Sequence, residues 1–135
     1  MSAPYIETIE YLTRDAEQTF GRNVKHAALA AGEITWDELA EAMSKATGEE
    51  FTRNQVVNMV GRRNRASHRS RIRIEKVDAV VAAFSEVFGL RYVRKDGTLG
   101  RPVDRDWFLT PYPPRIGSDN PGYLSPPSPE VATAA

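Results

Sequence analysis

Two helix-start signals stand seventeen residues apart in this chain, and they constrain its middle more than any other feature. In Thr35-Trp36-Asp37-Glu38 the threonine hydroxyl can accept from the Glu38 amide while the Glu38 carboxylate reaches back to the threonine amide. Thr52-Arg53-Asn54-Gln55 repeats the device with glutamine in place of glutamate. The first box opens a run that carries Leu39, Ala40, Met43 and Ala46 inward, with Gly48 as its stop. The second opens a run with Val56, Met59 and Val60 on one side and Arg53, Asn54, Val57 and Asn58 on the other, closed by Gly61. Two capped, short, amphipathic runs in succession predict a pair of short helices joined by a turn.

The flanking segments extend the helical reading. Tyr5, Ile6, Ile9, Leu12, Ala16 and Phe20 recur at helical spacing, and Gly21 is expected to interrupt that helix. Asn23 then caps a second one, Val24–Ala31, which Gly32 ends. Ile74, Val77, Val80, Val81, Phe84, Val87 and Phe88 give the strongest period in the chain, closed by Gly89. Asp96-Gly97, between Arg91-Tyr92-Val93 and Thr98-Leu99, predicts a short hairpin, and Asp104–Leu109 packs back through Trp107 and Phe108. Tyr92, Trp107, Phe108 and Tyr112 read as core in preference to an interface. Seven of the nine prolines fall in residues 111–135, where no apolar period survives, so this stretch reads as a disordered tail. The expected fold is all-α, about five short helices with a small hairpin: a helical domain over 1–90, a small extension over 91–110, and the tail.

Charge supplies the functional clue. Eighteen bases balance eighteen acids over the 135 residues, yet they are segregated. Residues 1–50 hold ten acids and four bases (−6), residues 51–74 hold seven arginines and no acid (+7), and residues 75–135 hold seven bases and eight acids (−1). A polyanion responds to local potential and not to the sum. Arg62, Arg63, Arg65, Arg69, Arg71 and Arg73, with Asn64 and His68 among them, suit phosphate oxygens. On the helix just before them, Arg53 suits guanine O6 and N7, Asn54 and Asn58 suit adenine N6 and N7, and Val57 suits a thymine methyl.

Other classes find less support. The chain has no cysteine and two histidines, His26 and His68, which leaves no metal or disulfide framework, and no cofactor is expected. No nucleophile–base set or glycine-rich phosphate loop stands out, and Glu49-Glu50 reads as a turn, so an enzyme is not expected. No apolar run reaches the ~18 residues of a membrane span, and the first residues lack a signal-peptide pattern, so a cytoplasmic location is expected.

GRNVKHAALAAGEITWDELAEAM resembles the first two helices of the lambda-repressor-like (Cro/C1-type) helix-turn-helix family. VVNMVGRRN resembles the end of that family's recognition helix, and IRIEKVDAVVAAFSEVFGL its closing helix; together the likeness covers residues 20–90. The stretch from Ser44 to Val56 departs from it by about six extra residues relative to the family's tight turn. The resemblance implies that Arg53, Asn54, Val57 and Asn58 read bases, and that Thr35 and Thr52 serve as caps or phosphate donors. Within the family, the whole chain is similar to immunity repressors of temperate mycobacteriophages of the integration-dependent type. That similarity implies operator binding that represses lytic genes in a bacterial host, as a homodimer on double-stranded DNA. It also implies that Ala132, Thr133, Ala134 and Ala135 form a degradation tag for a Clp-type protease. A Cro-like, antitoxin or excisionase-type regulator, and a helical module binding an acidic protein, are the rival expectations.

Overall fold

A computed structural model describes residues 11–60 and 72–118. Among them are five α-helices and a small antiparallel sheet: α1 (Arg14–Ala30), α2 (Trp36–Thr47), α3 (Arg53–Val60), α4 (Ile74–Ala82), β1 (Arg91–Val93), β2 (Leu99–Pro102), α5 (Arg105–Leu109) and β3 (Ile116–Gly117). The mainly helical class expected from the sequence is therefore observed, with a sheet larger by one strand than the predicted hairpin.

α1 corrects the reading of the N-terminal third. It is one continuous helix whose cap is Thr13, with the hydroxyl accepting from the Ala16 amide at 3.2 Å. Gly21 does not break it. A helical glycine costs about 1 kcal/mol against alanine, while burying Phe20 and Val24 on either side returns roughly 1.5–3 kcal/mol each, so packing wins. Leu12, placed by periodicity in the first helix, is extended instead, as is Tyr11 before it: Tyr11 bridges Arg73, and the Leu12 amide donates to the Ile72 carbonyl at 3.0 Å. Tyr5, Ile6 and Ile9 lie outside the described residues. Asn23 caps nothing. Buried inside α1, its side-chain amide donates to the carbonyls of Trp107, Phe108 and Thr110 at 3.2, 3.0 and 2.9 Å, closing the end of α5 from a distance of over eighty residues in sequence.

α2 and α4 follow the predicted boundaries. Gly48 ends α2 at φ +81, a left-handed conformation that residues with a Cβ rarely adopt. α4 widens over Ala83–Val87 into a π-type turn in which the Phe88 amide donates to Ala83 at 3.1 Å. Gly89 then reverses the chain. Phe84 stacks on Phe108 at 5.5 Å between ring centroids, Phe20 lies tilted to Phe108 at 6.2 Å, and Trp107 abuts it edge-on at 4.9 Å. α1, α4 and α5 therefore share one aromatic core. Trp107 and Phe108 are buried in it and Tyr92 is half-buried, whereas Tyr112 stands 90% exposed.

The sheet has the order β2-β1-β3, with both pairs antiparallel. The hairpin turn falls at Asp96-Gly97 as expected: the Asp96 carboxylate accepts from the Thr98 amide at 3.0 Å, and Gly97 has φ +90. Residues 111–118 overturn part of the predicted tail. Ile116–Gly117 pairs with Arg91 and Tyr92, the Trp107 indole donates to the Pro114 carbonyl at 2.7 Å, and the Ser118 hydroxyl donates to the Phe88 carbonyl at 2.9 Å. Composition misleads here because this segment is held through its backbone and by partners elsewhere in the chain, not by an apolar stripe of its own. Residues 119–135, which include the remainder of the expected tail and Ala132–Ala135, lie outside the described residues. No helix of the described residues is long and apolar enough to cross a membrane.

Candidate nucleic-acid interface

The turn that delivers α3 is fixed by Ser44. Its hydroxyl donates to the Ala40 carbonyl one turn back in α2, at 3.0 Å, and accepts from the Phe51 amide at 2.9 Å. Phe51 is half-buried against the core. The extra length between Ser44 and Val56 thus resolves into an α2 that runs to Thr47 and a connection, residues 48–52, pinned at its far end. Thr52 then caps α3: its hydroxyl accepts from the Gln55 amide at 3.3 Å, and its own amide donates to Gln55 Oε1 at 2.8 Å. Both boxes read from the sequence are formed.

α3 divides its faces as the pattern predicts. Val56, Met59 and Val60 are buried against α1 and α2. Arg53, Asn54 and Asn58 are exposed and Val57 is half-buried. These four side chains form two adjacent rows at i,i+4 spacing, Arg53 with Val57 and Asn54 with Asn58. Residues at that spacing stand about 5–6 Å apart on a helix surface, between one and two base steps of about 3.4 Å each. With its side chains an α-helix is about 10–12 Å across, which a B-form major groove about 12 Å wide admits.

The two capped ends differ in charge. α2 places Asp37 and Glu38 in its first turn, so its own carboxylates occupy the positive end of the helix dipole. Thr35 there is engaged through both its amide, which donates to Glu38 Oε1 at 2.7 Å, and its hydroxyl, which accepts from the Glu38 amide at 3.1 Å. α3 has no acid in its first turn, carries Arg53 there, and closes its cap with a neutral amide. A helix N-terminus of that composition favours an anion, and one fronted by two carboxylates does not. Sequence reasoning placed Thr35 and Thr52 together as phosphate donors; the arrangement separates them.

Of the expected arginine cluster, only Arg73 belongs to the described residues. It is committed within the protein. Its guanidinium lies 5.4 Å from the centroid of the Tyr11 ring, donates to the Tyr11 hydroxyl at 3.3 Å, and approaches the Glu75 carboxylate at 3.8 Å. Arg62, Arg63, Asn64, Arg65, His68, Arg69 and Arg71 lie outside the described residues. His26 is exposed on α1.

Ser44 and Glu17 were missed by sequence reasoning. Ser44 gave no signal beyond its helical position, because its role depends on a chain reversal seven residues long. Glu17 is 1% exposed and its carboxylate accepts from the Ile72 amide at 2.9 Å. A polar residue at an otherwise apolar position of α1 was the available hint.

The site is thus a short helix presenting an arginine and two asparagines outward, on a mainly helical protein with a three-stranded antiparallel sheet. No family model, curated protein or solved structure matches the chain.

Proposed function

We propose that this chain is a sequence-specific DNA-binding protein that represses transcription, with α3 in a major groove. The observation that carries the reading is the division of α3: Val56, Met59 and Val60 anchor it, while Arg53, Asn54 and Asn58 face out in rows at i,i+4 spacing. Arginine and asparagine are the side chains whose donors and acceptors match guanine and adenine edges, and one bidentate pair contributes about 1–3 kcal/mol of base discrimination. The first turn of α3 carries Arg53 and no acid, and in sequence α3 belongs to a stretch, residues 51–74, with seven arginines and no acid, the charge sign that a phosphate backbone requires. The likeness of residues 20–90 to lambda-repressor-like proteins, and of the whole chain to phage immunity repressors, extends the reading to operators of lytic genes.

Incubating the full chain with a random duplex pool and sequencing the retained fraction tests this directly. The proposal expects enrichment of one motif, with affinity falling steeply as salt rises. Equal retention of all sequences, or no retention, contradicts it.

A further inference from the structure

Among the described residues, two large apolar side chains stand exposed: Tyr112 at 90%, whose hydroxyl suits water, and Leu29 at 58%, which offers water no polar atom. Leu29 lies off the stripe of α1 that Phe20, Val24, Ala27 and Ala28 bury, so the core gives no reason for it. Nor does it stand alone. Beside it opens a hollow of about 360 Å³, walled by Ala28, Ile34 and Trp36 and rimmed by Lys25 and Glu33.

The rim is arranged evenly about Leu29. Lys25 stands four residues before it and Glu33 four residues after it, with the Glu33 amide donating to the Leu29 carbonyl at 3.3 Å. Both charged side chains are exposed, and neither has an ion-pair partner among the described residues. A separation of about two helical turns keeps them from meeting each other. Glu33 also has φ +59, a conformation that residues other than glycine, asparagine and aspartate seldom adopt. Glycine would make this turn with less strain, so the glutamate brings a charge that the turn itself does not require.

A surface with a cation on one side of an apolar centre and an anion on the other is complementary to itself. After a two-fold rotation about Leu29, the lysine of each copy meets the glutamate of the other, and each Leu29 faces the hollow beside its counterpart. A partner of one charge sign would satisfy one side of the rim and oppose the other.

We infer that the face centred on Leu29, at the end of α1 and the turn into α2, is an interface between two copies of this chain, with Lys25 of each paired to Glu33 of the other around a shared apolar centre. This face has no residue in common with the outer rows of α3, and its pairing does not rest on the DNA-binding reading.

Sedimentation equilibrium of the full chain at low salt, where surface charges are least screened, is the test. The wild-type chain is expected to show a monomer–dimer equilibrium. Leu29→Lys changes an exposed residue near a helix C-terminus, where a cation is tolerated. It sets two like charges on the axis and is expected to weaken the dimer by about tenfold or more. Lys25→Glu alone brings acid against acid across the contact, and Glu33→Lys alone brings base against base, so each is expected to be mainly monomeric. Mixed in equal amounts, these two variants are expected to form a heterodimer, because the two acids of one then face the two bases of the other. A wild-type chain that stays monomeric, a Leu29→Lys variant that dimerises as the wild type does, or charge variants that associate no better together than apart would each overturn the inference.

Discussion

α2 and α3 open with the same pair of hydrogen bonds, Thr35 with Glu38 and Thr52 with Gln55, and bury one face each in the same core. Their exposed ends nevertheless carry different chemistry. The first turn of α2 spends its dipole on Asp37 and Glu38, which suits a helix whose task is to support its neighbours. The first turn of α3 holds no acid and projects Arg53 and Asn54. Two amides, Asn54 and Gln55, stand in α3 where α2 has two carboxylates, Asp37 and Glu38, and Arg53 stands where α2 has Trp36, so two caps of one design differ in charge.

The largest effect should come from the scaffold side. Leu39 is fully buried in α2, and Leu39→Ala is expected to lower stability by about 3 kcal/mol, within the 2–5 kcal/mol span of such truncations. Asn54→Ala on α3, an exposed position, should change stability by less than about 0.5 kcal/mol. Urea unfolding of the two variants measures both; equal losses would erase the distinction between a supporting and a presenting helix.

Exchanging the caps sharpens the comparison. Gln55→Glu converts the α3 cap to the α2 type and should raise stability by about 0.3–1 kcal/mol through the helix dipole. The same change sets a negative charge at the end that the proposed function turns towards phosphate, so duplex affinity should fall several-fold, most at low salt. Stability and binding then move in opposite directions. A gain in both, read by thermal unfolding and by mobility shift, contradicts the assignment of the α3 end.

The smallest effect lies away from both helices. The Tyr92 hydroxyl donates to Asp104 at 2.6 Å, and its pKa is pushed up to about 12, first by burial and then by that hydrogen bond. A folded-state value above the unfolded one means that the contribution is whole below about pH 10 and is lost as pH rises towards 12. Stability should therefore decline over that window, and Tyr92→Phe should flatten the decline. An unchanged alkaline profile in the variant would show that Tyr92 does not carry it.

What was legible in the sequence was what is decided locally. The caps at Thr35 and Thr52, the left-handed stop at Gly48 and the Asp96-Gly97 turn each depend on neighbours within a few residues, and each is formed. The outward rows of α3 follow from the same short-range periodicity. What was illegible depends on distant partners. Asn23 looked like a cap because asparagine suits one, but its partners are carbonyls beyond residue 106. Ile116 looked like part of a proline-rich tail, yet its backbone pairs with Tyr92. Glu17 drew no reading at all, although it is among the most buried side chains. Pairings of this kind leave no periodic trace, because each partner carries half of the information and the fold supplies the rest.

The central claim is that the outer rows of α3 read base edges, and comparing the duplexes selected by the wild-type chain with those selected by Arg53→Ala tests it most directly. The account predicts that the variant selects the same motif with preference lost at one position, a guanine, and retained at the others. An identical preference at every position, or a uniform loss across all of them, would contradict it.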